Sequence, residues 1–248
     1  MILGVIPARY SSSRFPGKPL IDIQGKSMIQ RVYGQAMKSK KLTKVVVATD
    51  DERIAHHVKR FGGEYVMTHS DHPSGTDRCL EALEKTTGSF SHLINIQGDE
   101  PFIDPSQIDL LADALMDKQT ELATLVIPVD SYELLFQEGE VKVVVNKQME
   151  ALYFSRMVIP YFKNVDRQEW HKHFTYYRHV GMYAYRADVL EKITRLKPSS
   201  LEKAESLEQL RWLEHGYKIK TVVTKHESHC IDVPEDVERV LSLIKQGK

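Results

Sequence analysis

The chain has only two cysteines, Cys79 and Cys230, far apart and in no paired motif. A reduced, cytoplasmic setting follows from such sparse cysteine usage. It has no excess of charge of either sign, since 34 basic residues balance 34 acidic ones. A nucleic-acid partner is therefore not indicated, because such a partner usually selects a basic surplus. It lacks any apolar run near the roughly 18 consecutive residues that a membrane span needs. The apolar start Met1-Ile2-Leu3-Gly4-Val5-Ile6 has no charged leader and runs into Pro7 and Arg9. It reads as a buried strand, not as a signal peptide. No G-x-G-x-x-G fingerprint occurs, and Gly25-Lys26-Ser27 is not a P-loop tail, because the earlier glycine that motif requires would fall at Leu20. There is neither an internal repeat nor a low-complexity tract.

What is present is ordinary globular usage: 248 residues, 42% hydrophobic and 27% charged. That length buries a core without staples and suits one α/β domain, with room for a small subdomain. Short apolar runs at residues 2–6, 45–48 and 93–96 predict strands, each ending at a polar or glycine-containing loop. Residues 28–37, 52–61 and 77–84 have the mixed polarity of covering helices. Such alternation predicts a largely parallel sheet whose ligands gather beyond the carboxyl ends of its strands. Later, residues 122–129, 141–145 and 152–155 predict strands of a more antiparallel character. Residues 160–178 are aromatic and charged without a period and predict an arm or subdomain edge. A strand over 181–185, a helix over 201–215, a strand over 219–224 and a closing helix over 234–244 complete the expectation, with Pro234 suited to a first turn.

After the first strand comes Pro7-Ala8-Arg9-Tyr10-Ser11-Ser12-Ser13-Arg14-Phe15-Pro16-Gly17-Lys18-Pro19-Leu20. Arginine grips phosphate oxygens with a planar fork and lysine adds a compact point charge. Gly17 lets backbone N–H groups approach an anion. Pro16 and Pro19 stiffen the loop, which argues for a phosphate cradle over a solvated surface turn. This loop resembles that of the 3-deoxy-D-manno-octulosonate (Kdo) cytidylyltransferases, the CMP-Kdo synthetases, and the resemblance runs to the last helix. It implies a Rossmann-like nucleotidyltransferase fold, with a mostly parallel sheet flanked by helices. It also implies a smaller dimerising and sugar-binding subdomain at about residues 130–186, hence a homodimer.

The remaining motifs divide between bland and functional readings. His72-Pro73-Ser74-Gly75-Thr76-Asp77-Arg78 precedes a helical pattern. Ser74 or Thr76 can cap that helix, or the stretch can offer donors to an anion at the helix start. His69 and His72 have a zinc-like spacing, but no second ligand pair follows. Asp99, in Gln97-Gly98-Asp99-Glu100-Pro101 after a buried strand, is placed to hold Mg²⁺ or to cap the next segment. Asp232, in Ile231-Asp232-Val233-Pro234-Glu235-Asp236, looks on its own like a helix cap. Arg156 can pair with a surface acid, and His179 by itself is more often structural.

The resemblance assigns roles. It makes Ala8, Arg9, Arg14, Lys18, Ser74, Gly75, Thr76 and Arg78 nucleotide contacts. Arg14, Gln97, Arg156, His179, Tyr183, Glu208 and Gln209 become sugar-acid contacts, and Asp99 and Asp232 become ligands of Mg²⁺. Asp99, Lys18 and Arg9 form the implied catalytic set. The implied reaction is in-line attack by the anomeric 2-hydroxyl of Kdo on the α-phosphorus of CTP. It yields CMP-Kdo and pyrophosphate for lipopolysaccharide assembly and needs no dedicated protein base. A second Mg²⁺ would accompany the β- and γ-phosphates. An 8-amino Kdo variant or sialic acid is the alternative sugar, and a non-catalytic nucleotide sensor the alternative class.

Overall fold

The computed structural model describes residues 1–11, 15–227 and 229–245, the last three by backbone alone. The first strand, β1 (Ile2–Ala8), is followed by a single 3₁₀ turn (Lys18–Leu20), the small hairpin β2 (Asp22–Ile23) and β3 (Lys26–Ser27), and α1 (Met28–Ala36). Next come β4 (Lys44–Thr49), α2 (Glu52–Arg60), β5 (Tyr65–Met67), α3 (Gly75–Lys85), β6 (His92–Asn95), α4 (Pro105–Ala114) and β7 (Leu122–Pro128). The middle of the chain gives α5 (Tyr132–Phe136), β8 (Lys142–Val145), β9 (Ala151–Ser155), α6 (Trp170–His173) and β10 (Tyr177–Arg186). The end supplies α7 (Ala187–Thr194), α8 (Ser200–Glu205), α9 (Gln209–Glu214), β11 (Ile219–Val223) and α10 (Glu235–Lys245). No helix among the described residues is long and apolar enough to cross a membrane.

The main sheet runs β11-β7-β10-β6-β1-β4-β5, and β8 and β9 extend it beside β10. Neighbours β6, β1, β4 and β5 are parallel, as are β7 and β11, while β10 runs against both β6 and β7. Strand period 2 divides the apolar side chains between two layers. Ile6 and Val47 join a core with Ile29, Val32 and Ile54 under α1 and α2, whereas Val5 and Val46 join Cys79, Ala82 and Leu190 under α3 and α7. Parallel strands covered on both faces read as continuous apolar runs, and this is why β1 and β4 are so plain in the sequence.

The aperiodic stretch 160–178 folds around its own aromatic cluster. Trp170 and Tyr176 are buried against Val129 and Leu135, with Phe162 and Val165 packed beside them. The Trp170 indole donates to the Val165 carbonyl at 3.0 Å and the Tyr176 hydroxyl to that of Pro160 at 2.9 Å. The helix expected over 201–215 is not continuous. Ser199 caps α8 in a reciprocal box with Glu202, Ser206 turns left-handed (φ 54°), and α9 begins three residues later. The break turns Leu207 into the core and lets Glu208 reach Thr76. It costs the strain of a non-glycine left-handed residue, of order 1–2 kcal/mol.

Candidate active site

The loop after β1 leaves the carboxyl edge of the sheet and closes on itself. The Gly17 N–H donates to the Tyr10 carbonyl at 2.9 Å, and Gly17 has φ 73°. A Cβ there would also press on the Tyr10 ring at 3.3 Å, so glycine is required twice over. The Arg53 guanidinium lies over that ring, 3.2 Å from its centre. Arg9 donates to the His72 carbonyl at 2.5 Å and so ties the first loop to the loop before α3. Ala8 ends β1, buried. Arg14 lies outside the described residues.

Lys18 brings the two expected aspartates together. Its ammonium donates to Asp99 at 2.8 Å and to Asp232 at 3.3 Å, so residues far apart in the chain converge on one positive charge. Burial alone would lower the Lys18 pKa; Asp99 and then Asp232 outweigh it and raise it. Gly98 sets Asp99 in place: a Cβ at Gly98 would lie 2.7 Å from the Pro7 carbonyl oxygen, so only glycine lets the β6 loop run against the β1 loop. The Asp99 carbonyl accepts from the Ile231 N–H at 3.0 Å. Ile231 and Val240 pack with Ile23 and Met28, which seats the C-terminal segment on the small hairpin. The Asp236 carboxylate accepts from the N–H groups of Asp232 and Val233 at 2.9 and 3.1 Å. The Asp232 carboxylate is turned toward Lys18.

This oxygen donor set fits Mg²⁺. The two carboxylates already focus on a cation and remain 28% and 35% exposed. Mg²⁺ typically keeps several waters and takes one or two carboxylates plus substrate phosphates. Among the described residues no group of three His, Cys, Asp or Glu side chains forms a closed cage. The zinc-like pair resolves differently: His72 hydrogen-bonds Glu81, whose carboxylate also accepts from the His69 N–H at 2.8 Å.

The loop before α3 divides its residues. Ser74 caps the helix, accepting from Thr76 and Asp77 N–H groups at 3.1 and 3.2 Å. The Thr76 hydroxyl donates to Glu208 at 2.7 Å, and burial raises the Glu208 pKa despite that bond. Gly75, at the first turn, has no atom closer than 3.8 Å to a notional Cβ. Arg78, expected as a nucleotide contact, is 0% exposed, donates to Thr68 and faces Asp50 at 3.5 Å. From the first turn of the helix its side chain reaches the residues that follow β4 and β5, at the carboxyl edge of the sheet, where it feels the charge of Arg9.

Among the residues expected to contact the sugar acid, Gln97 donates to the Gly181 carbonyl at 2.6 Å. A bulge in β10 between Val180 and Tyr183 opens the strand there. His179 and Tyr183 flank it with ring centres 5.2 Å apart. Burial and then Arg178 push the His179 pKa down to about 3, so its ring is neutral. Gln209 is buried. Arg156 stands apart, its guanidinium spent on the carbonyls of Glu205 and Ser206 at the α8–α9 break. Two residues outside the expected set matter to this geometry. Thr124 bonds His179 at 2.9 Å, and Arg178 is buried between Glu140 and Glu227. Thr124 sits in an unbroken apolar strand, where a lone hydroxyl is the available signal; Arg178 stands next to His179 in the motif already singled out.

A cytidylyltransferase family model matches residues 3–219. The 3-deoxy-manno-octulosonate cytidylyltransferase of Cytophaga hutchinsonii is 55% identical over 240 residues, 96% of each chain. That of Parabacteroides distasonis is 54% identical over 246 residues, 98% of this chain and 97% of its own. A solved CMP:2-keto-3-deoxy-manno-octonic acid synthetase complexed with CTP superposes with a TM-score of 0.90 at 44% identity, covering 100% of this chain and 99% of that one. A cytidylyltransferase from Leptospira borgpetersenii, 18% identical with a TM-score of 0.65 over 99% of this chain and 87% of its own, shares the fold. The chain belongs to the 3-deoxy-manno-octulosonate cytidylyltransferase family.

Proposed function

We propose that this chain transfers CMP from CTP to the anomeric hydroxyl of Kdo, releasing pyrophosphate, in the cytoplasm and for lipopolysaccharide assembly. The observation that carries the reading is the convergence of Asp99 and Asp232 on Lys18 at the edge of the loop after β1. The kinship reported above supplies both substrates.

The sugar hydroxyl attacks the α-phosphorus, the new P–O bond forms as the bond to the β-phosphate oxygen breaks, and pyrophosphate leaves. Asp99 and Asp232 would hold Mg²⁺, which when bound offsets phosphate charge and acidifies the attacking hydroxyl. Lys18 and Arg9 supply positive charge aimed at the triphosphate and the departing pyrophosphate. Gln97, His179 and Tyr183 at the β10 bulge, with Glu208 nearby on its own loop, orient the sugar acid. A homodimer is part of the proposal, and the exposed Leu152, Met157, Tyr161 and Phe174 of residues 130–186 are apolar side chains that a second copy could cover.

Pyrophosphate release from CTP is measured with Kdo, with sialic acid and with no acceptor. Release with Kdo alone supports the proposal. Release with sialic acid alone, or none with any acceptor, refutes it.

A further inference from the structure

Thr124, in the middle of β7, is fully buried and has one hydroxyl hydrogen to give. Its oxygen lies 2.8 Å from the Met182 carbonyl, 3.4 Å from that of Val180 and 2.9 Å from His179 Nε2. Both carbonyls can only accept. Were the hydroxyl to donate to His179, two oxygens would face each other at 2.8 Å with no hydrogen between them, inside the core. The hydrogen therefore goes to Met182, and Thr124 accepts from His179. We infer that Thr124 fixes His179 as the Nε2–H tautomer, so that Nδ1 presents a lone pair that recognises a donor on the sugar, a hydroxyl and not the carboxylate.

Three observations bear on this inference. Nδ1 has no hydrogen-bond partner among the described residues. The ring is neutral, because burial and the adjacent Arg178 cation both oppose protonation. Phe154 holds the ring edge-on at a centre separation of 5.3 Å and Tyr183 tilts against it, so it does not turn freely. The same hydroxyl holds the β10 bulge through Met182, and the bulge carries the Gly181 carbonyl that takes Gln97. Thr124 is thus a positioning residue. Its inferred role in sugar recognition rests on the function proposed above, whereas the tautomer does not.

The test has two parts. In the free protein labelled with ¹⁵N-histidine, His179 is expected to show a protonated, pyrrole-type Nε2 and an unprotonated, pyridine-type Nδ1. The reverse pattern overturns the inference whatever the substrate. Thr124→Val should mix the tautomers and raise the KM for the sugar on the order of tenfold, the scale of one hydrogen bond, while leaving the KM for CTP unchanged. Thr124→Ser, which keeps the hydroxyl, should restore both signals. A Thr124→Val protein with unchanged tautomer and sugar KM, or a Thr124→Ser protein as impaired as Thr124→Val, overturns it. Should wild-type protein release no pyrophosphate with Kdo, the functional proposal fails while the tautomer result still stands or falls alone.

Discussion

Replacing Asp232 with asparagine separates a chemical role from a structural one. The side chains of Lys18 and Asp232 are 15% and 35% exposed and that of Asp99 is 28% exposed. Ion pairs this close to solvent contribute at most about 1 kcal/mol to stability. Asparagine also keeps the shape, and Lys18 keeps Asp99. For a chain of this size the melting temperature should therefore fall by no more than about 4 °C. Turnover should fall far more. Removing one preorganised electrostatic group from a reacting centre typically costs 10²–10³ in rate, roughly 3–4 kcal/mol of transition-state stabilisation. Pyrophosphate release at saturating CTP and Kdo reads the second quantity, and thermal denaturation of the same samples reads the first. Arg178→Met provides the contrast. It strips a buried cation from the partly exposed Glu140 and Glu227 and should cost about 1.5–3 kcal/mol of stability. Asp232→Asn turnover within threefold of wild type would refute the reasoning. So would a loss of stability matching that of Arg178→Met, since Asp232 would then be a structural anchor.

Three further outcomes are expected. Gly98→Ala forces a Cβ to within 2.7 Å of the Pro7 carbonyl, which must displace backbone; unfolding measurements should register a loss of about 1–3 kcal/mol, with activity falling because Asp99 moves. Burial would raise the Glu81 pKa, but Lys85, His72 and the His69 N–H outweigh it and bring it to about 2. A carboxyl depressed in the folded state stabilises above its unfolded pKa, so its contribution, at most about 3 kcal/mol, is lost as pH falls from about 4.5 toward 2. Urea titrations across that window should show a smaller pH dependence for Glu81→Gln than for wild type. Chelation of divalent cations should abolish pyrophosphate release, and added Mg²⁺ should restore it, without a shift in melting temperature beyond about 2 °C; undiminished release in chelator would remove Mg²⁺ from the mechanism.

The parts of the fold legible in the sequence are those written in one stretch of chain. Strands β1, β4 and β6 are buried on both faces, and their uninterrupted apolar runs mark them. The break at Ser206 was hidden for the opposite reason. Apolar residues on both sides keep a helical spacing, and the bond that the break makes possible, between Glu208 and Thr76, joins residues 132 apart. The site divides the same way. Lys18 and Asp99 each stand in a loop whose prolines or glycine declare a purpose, but Asp232 alone is indistinguishable from a cap. What marks it is its contact at 3.3 Å with Lys18, 214 residues away in the chain.

Arg78 shows how the phase of a helix places a residue that a motif singles out. Ser74 caps α3 as one alternative allowed, so the helix starts at Gly75 and each later residue rotates by about 100°. That rotation turns Thr76, Cys79 and Ala82 inward, and Arg78 is carried with them into the gap beside Thr68 and Asp50. The motif names the cation, and the helical phase decides which protein groups it meets. Lys18 shows the converse. It belongs to a short 3₁₀ turn instead of a long helix, so no phase commits its side chain to the interior, and its ammonium extends to the two aspartates at the sheet edge.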